Sequence, residues 1–190
     1  MNQAVYEIDI TPPKIVADQI ADATHYALGS LPDNFRPHIT IKEPFSLNEG
    51  VTLSEFSTIL RSKIGSFRTF TINLPNINFF DHLYSPIRHK TLYLEVVKSD
   101  ELLNLHRTIT SLANSMSSDV YGSHALHEKD FTPHLSLEWD ITNNFDKLFE
   151  KFESKKLSFI FDVEAIGLFE EVDPDLVIFK QVHSFPLKNE

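Results

Sequence analysis

Arg36–Phe45 reads RPHITIKEPF, and Thr132–Trp139 reads TPHLSLEW. Both stretches run proline, histidine, aliphatic, small hydroxyl, aliphatic. Alternate side chains of a strand share a face. His38, Thr40 and Lys42 are therefore expected on one face, with Ile39 and Ile41 packed on the other. In the second copy His134, Ser136 and Glu138 oppose Leu135, Leu137 and Trp139. Each copy then presents an imidazole and a hydroxyl about 7 Å apart, given a rise of roughly 3.3 Å per residue. Pro37 and Pro133 lack a ladder donor, which places each histidine near the start of its strand.

The segments around the two copies repeat the same order: strand, helix, His-strand, helix, strand. The first half reads AVYEIDI as a strand, a helix from Thr11-Pro12 to Gly29, the first His-strand, and a helix over TLSEFSTILRSKIG with Thr52 and Glu55 as a capping box. FRTFTINLPNINFFD follows as strand broken at Pro75. The second half reads KTLYLEVV as a strand, a helix capped by Ser99 or Asp100, a polar loop over 116–130, the second His-strand, a helix over TNNFDKLFEKFES and closing strands with a bend or bulge at Gly167. Outside the His-strands the halves share little residue identity, so the repeat is one of pattern, as an old duplication leaves. No Pro/Gly/Ser-rich linker separates them. The expected architecture is α+β, one domain over residues 1–190, with two pseudo-symmetric lobes whose antiparallel sheets flank a central cleft and whose helices lie outside.

Two imidazoles facing each other between such lobes form a general acid/base pair. One can take a proton from an attacking oxygen while the other gives one to the leaving oxygen. The hydroxyls of Thr40 and Ser136 can donate to nonbridging phosphate oxygens. In-line displacement at phosphorus needs acid and base on opposite sides, and the scheme calls for no metal and no cofactor.

These residues resemble the paired His-x-Thr/Ser motifs of the 2H phosphoesterase superfamily, which includes 2′-5′ RNA ligase-like proteins and cyclic phosphodiesterases. HITIKEPF also resembles the extended first motif of a bacterial branch of that group. The resemblance spans nearly the whole chain in element order and is specific in residues at His38, Thr40, His134 and Ser136. It implies a bilobal α+β fold and metal-independent opening of a 2′,3′-cyclic phosphate on a nucleotide, an RNA end or an ADP-ribose derivative, with both histidines catalytic. It also implies a basic and aromatic segment between the motifs, where SPIRHKTLYLEV stands: Arg88 or Lys90 to meet a phosphate, Tyr93 to stack on a base. Lys42 joins these as a candidate ligand contact.

Composition narrows the alternatives. With no Cys among 190 residues, disulfides, thiolate metal sites and Cys nucleophiles are excluded, and the chain fits a reducing cytoplasm. MNQAVYEIDI lacks the basic-then-apolar pattern of a secretion signal, and no apolar run approaches the roughly 18 residues of a membrane helix. A formal charge of −10 argues against binding long nucleic acid, yet permits a small phosphorylated ligand at a local cluster. Sixteen Phe residues point to an aromatic core. Three other readings compete: a nucleotide- or phosphate-binding module without turnover, a metallohydrolase using His38, His134 and His124 or His127, and an interaction protein with incidental histidines. His25, His106 and His183 read as structural or surface residues, and His82 and His89 as loop decoration.

Overall fold

Two helices begin at their expected hydroxyl caps and one ends at its expected glycine. In this computed structural model, which describes residues 3–82, 89–120 and 131–189, α1 (Lys14–Leu28) stops at Gly29, whose φ of 88° is the left-handed conformation a glycine adopts at little cost. The hydroxyl of Thr52 accepts from the Glu55 amide at 3.2 Å to cap α2 (Leu53–Ile64). Ser99 does the same for Leu102 at the start of α3 (Asp100–Met116). α4 (Phe145–Glu153) completes the set among the described residues.

The strands are β1 (Tyr6–Ile10), β2 (Ile39–Leu47), β3 (Phe70–Leu74), β4 (Ile77–His82), β5 (His89–Glu95), β6 (Ser117–Asp119), β7 (His134–Ile141), β8 (Phe159–Val163), β9 (Ala165–Asp173) and β10 (Ile178–Pro186). All named strands pair antiparallel. Pro75 does separate two strands, β3 and β4. The start of the expected polar loop is instead β6, which pairs with the end of β2. His124 and His127 lie outside the described residues.

The expected α+β class with antiparallel pairing holds, but each lobe was expected to carry its own sheet beside a central cleft. The structure instead joins the halves into one sheet of order β10-β9-β1-β2-β7-β5-β4, with β6 beside β2 and a separate β3-β8 pair. The order is its own mirror about the β2/β7 seam: β9-β1-β2 on one side answers β4-β5-β7 on the other, with β10 added at one edge. The seam is a single bridge, Ile39 to Leu135. Helices cross it reciprocally. α1, which follows β1, packs against β7 and α4; α3, which follows β5, packs against β2, β6 and α2. Ile39, Ile41, Leu135, Leu137, Leu92 and Leu94 join the apolar core with Ile20 of α1, Leu105 and Ile109 of α3, and Phe152 of α4. Each fully buried aliphatic there contributes roughly 1.5–3 kcal/mol.

Both His-strands carry the same bulge. Thr40 stands opposite Asp9 while Lys42 stands opposite Ile8, which leaves Ile41 as an extra residue. Ser136 stands opposite Tyr93 while Glu138 stands opposite Leu92, which leaves Leu137 extra. A two-for-one bulge interrupts strict alternation. Lys42 and Glu138 therefore do not continue the faces of His38–Thr40 and His134–Ser136, contrary to the sequence pattern.

Gly167 is not a break; the chain turns at Glu164, and Gly167 lies within β9, opposite Asp9. A Cβ there would come within 2.3 Å of the Phe169 ring. That ring is buried and carries the Arg36 guanidinium 4.0 Å above its centroid. Gly167→Ala is expected to displace the ring and cost about 1–3 kcal/mol, the usual penalty for overpacking, measured as a shift of the urea midpoint at constant slope. An unchanged midpoint would show that the ring has room to move.

Candidate active site

The seam bridge fixes the site. Because Ile39 pairs antiparallel with Leu135, Thr40 comes alongside His134, and Ser136 alongside His38. Directly opposed residues on paired strands have Cβ atoms about 4.5–5.5 Å apart. The repeated motifs thus make a square in which each imidazole neighbours the other motif's hydroxyl. The sequence pattern anticipated two His–hydroxyl pairs facing across a gap; the structure sets them side by side on adjacent strands.

Each ring is held the same way. His38 Nδ1 lies 2.6 Å from the carbonyl oxygen of Arg36, and His134 Nδ1 lies 2.9 Å from that of Thr132. A carbonyl only accepts, so Nδ1–H donates in both, and the neutral ring presents a bare Nε2. The intervening residue is proline each time, with its φ fixed near −65°. The Pro-His spelling thus presets the ring orientation as well as the strand start. Neither the Thr40 nor the Ser136 hydroxyl has a hydrogen-bond partner among the described residues.

The surroundings of the two rings differ. His134 meets an aromatic wall: Phe80 at 4.9 Å edge-on and Tyr93 at 5.4 Å, the latter two stacked on each other at 4.2 Å. His38 meets charge. Arg36 donates to Asp9 at 2.7 Å and also to Glu7, and both carboxyl groups are buried, at 0% and 5% exposure. Burial lowers the proton affinity of His38; the Asp9 charge opposes this, and Arg36 adds to it. Burial likewise lowers His134; its hydrogen bond to Thr132 opposes this, and charge on His38 lowers it further. Both rings are therefore biased toward neutrality near pH 7.

The expected ligand contacts separate. Tyr93 lies in the aromatic wall beside His134. Lys42 is 4% exposed and ion-paired with Asp119 of β6. Lys90 points to the opposite face from Tyr93, where its ammonium lies 3.9 Å from the centroid of Phe145 and 4.8 Å from that of Phe79. Lys90 is turned away from the histidine square, whereas Lys42, in its ion pair, lines one pocket together with Thr40 and His134. Arg88 lies outside the described residues. His82 and His89 are strand ends, stacked at 4.4 Å, and His106 stacks on Phe131 at 3.7 Å in the interior.

Glu7, Asp9 and Arg36 were not anticipated. YEIDI has the alternation of a half-exposed strand, yet every residue of β1 is buried. The signal available was Arg36 immediately before Pro37-His38, a cation able to neutralise buried acids. Burial, then the Asp9 charge, push the Glu7 carboxyl up from its ordinary 4.5 to about 9, against the opposing pull of Arg36.

With the geometry in hand, comparisons with known proteins are specific at the level of family. A family model described as the 2′-5′ RNA ligase superfamily matches residues 11–175. E. coli LigT superposes with a TM-score of 0.58 at 18% identity, covering 98% of this chain and 99% of that one. TT0787 of Thermus thermophilus gives 0.60 at 14% over the same shares. Usb1 of Kluyveromyces marxianus gives 0.57 at 11%, again over 98% and 99%. LigT has also been solved with phosphate and with 3′-AMP, and Usb1 with uridine monophosphate. No curated protein matches.

The Glu7 proton gives a pH test. The folded state holds that proton up to about pH 9, whereas the unfolded chain releases it near 4.5. Folding is then favoured by this group at low pH and loses that advantage as pH rises through the window. Glu7→Gln removes the dependence, so the variant should gain stability relative to wild type between pH 5 and pH 9 in urea titrations. Parallel pH curves would contradict the buried, protonated assignment.

Proposed function

Since the chain belongs to the 2′-5′ RNA ligase superfamily, we propose that it is a phosphoesterase that opens a cyclic phosphodiester, using His38 and His134 as the acid/base pair. The observation that carries this reading is the seam square: two neutral-biased imidazoles with matched Nδ1 anchors, each beside an unpartnered hydroxyl. The step balances without a co-reactant beyond water. One imidazole takes a proton from water at Nε2 as the water oxygen forms a new bond to phosphorus. The bond from phosphorus to one ring oxygen breaks, and that oxygen receives the Nε2 proton of the other ring, which enters the step as an imidazolium and leaves it neutral. The product is a phosphomonoester, and solvent exchange resets both rings. Thr40 and Ser136 donate to the nonbridging oxygens as charge builds on them.

A 2′,3′-cyclic nucleotide, an RNA end or a cyclic ADP-ribose phosphate all supply the required ring. Nucleotides and phosphate bound in LigT and Usb1 support a small phosphorylated ligand. The Phe80–Tyr93 stack beside His134 offers an aromatic surface on which a base can rest. Arg88 stays a candidate phosphate contact by its position in sequence.

His38→Ala and His134→Ala should each lower kcat on 2′,3′-cyclic mononucleotides by about a hundredfold or more, with the fold intact by circular dichroism. Thr40→Val and Ser136→Ala should each cost about tenfold or more, since one charge-assisted hydrogen bond is worth roughly 1.5–3 kcal/mol. Wild-type turnover in either histidine variant would refute the assignment. Tight nucleotide binding by the wild type with no product would favour the binding-module reading instead.

A further inference from the structure

The bridge that fixes the site also leaves a gap beside it. Among the described residues β2 and β7 pair only through Ile39 and Leu135, and β6 joins β2 on that side from Leu47 back to Phe45. Between those two pairings a slot of about 60 Å³ opens. Thr40 and His134, two corners of the histidine square, line it, as do Lys42 of β2 and Thr110 of α3. Resting on the phosphoesterase reading above, we propose that this slot holds the water that attacks phosphorus, with Thr110 and Lys42 as its positioning residues, so that the cyclic ester is opened by water and not by a sugar hydroxyl.

The lining asks for a polar occupant. The Thr110 hydroxyl oxygen is buried and has no hydrogen-bond partner among the described residues. Lys42 is 4% exposed, and Asp119 is its one hydrogen-bond partner among the described residues. An ammonium carries three donors, so two of them need acceptors. Buried polar groups are satisfied by protein or by ordered water, and here water fills the need. An apolar guest would leave both side chains unpaired.

Charge selects a neutral guest. The Lys42 ammonium is already matched by Asp119, and the carboxyl-bearing Glu43 also lines the slot. A second phosphate of the substrate would meet no net positive charge there. Size selects a small guest. One buried water needs roughly 10–15 Å³ of such space. The slot therefore admits a few waters, well short of a sugar ring with its hydroxyls. Because Thr40 and His134 share its lining, a water in the slot lies beside the place where the phosphate is held. The step keeps its balance: the water oxygen bonds to phosphorus, its proton passes to an imidazole Nε2, and the ester oxygen leaves protonated.

Thr110→Val tests this, because it removes the hydroxyl at nearly constant shape. Where a buried hydroxyl is merely an orphan, such a change leaves stability unchanged or raised and activity untouched. On a 2′,3′-cyclic mononucleotide the variant should instead lose about fivefold to tenfold in kcat, the worth of one hydrogen bond. KM should stay the same, and the urea midpoint should be no lower than that of wild type. Wild-type kcat in the variant, or a loss confined to KM, would overturn the proposal. With adenosine added as a competing alcohol, wild type should give only the phosphomonoester; a dinucleoside phosphodiester would also overturn it. NMR cross-relaxation between water and the Thr110 methyl group in the wild type is independent of turnover and of how the variant folds. A long-lived water signal is expected there, and a dry slot overturns the proposal. If wild type opens no cyclic phosphate, the phosphoesterase reading fails, and the water signal alone then upholds or overturns the slot as a water site.

Discussion

Everything at the site depends on the pairing of Ile39 with Leu135 across the centre of the sheet. A strand that slips by one residue exchanges its two faces. Here such a slip would bury the imidazoles and expose fully buried aliphatics. The apolar cost of leaving Ile39 and Leu135 in water, both at 0% exposure, therefore also holds the register that sets His38 beside Ser136. Core packing and site geometry are one constraint. Helices that cross reciprocally from each half to the other reinforce it, because neither half's strands are covered by their own first helix alone.

The two halves supply matched parts in unlike surroundings. Matched carbonyl anchors set the same tautomer on both rings. The neighbours then diverge: a buried ion pair next to one, stacked aromatic rings next to the other. The cations nearest the site among the described residues are engaged elsewhere, with Lys42 on Asp119, Lys90 on aromatic faces and Arg36 on Glu7 and Asp9. In a chain of formal charge −10, this leaves hydroxyl donors and an imidazolium as the described groups able to meet a phosphate's charge.

The repeated PHIT and PHLS strings exposed the duplicated strands and the histidine–hydroxyl pairs because a two-residue period is a local property. The joining of halves into one sheet was not legible, since pairing between strands so far apart in sequence leaves no short-range trace. The strict alternation read for Lys42 and Glu138 fails for a definite reason: a bulge at Ile41 and Leu137 spends one residue without advancing the register. Lys90 followed from position alone, and its neighbour β4 shows why it turns away, for it pairs beside Asp81 on the face of Leu92 and Leu94. Gly167 signalled something unusual, correctly, but the cause is a ring lying over the backbone and not a bend.

The most direct measurement is a crystal structure with inorganic phosphate bound. The account predicts one ion at the β2/β7 seam, within hydrogen-bond distance of Nε2 of both His38 and His134 and of the hydroxyls of Thr40 and Ser136. A phosphate that settles elsewhere, or imidazoles whose Nε2 atoms turn away from a shared oxygen, would contradict it.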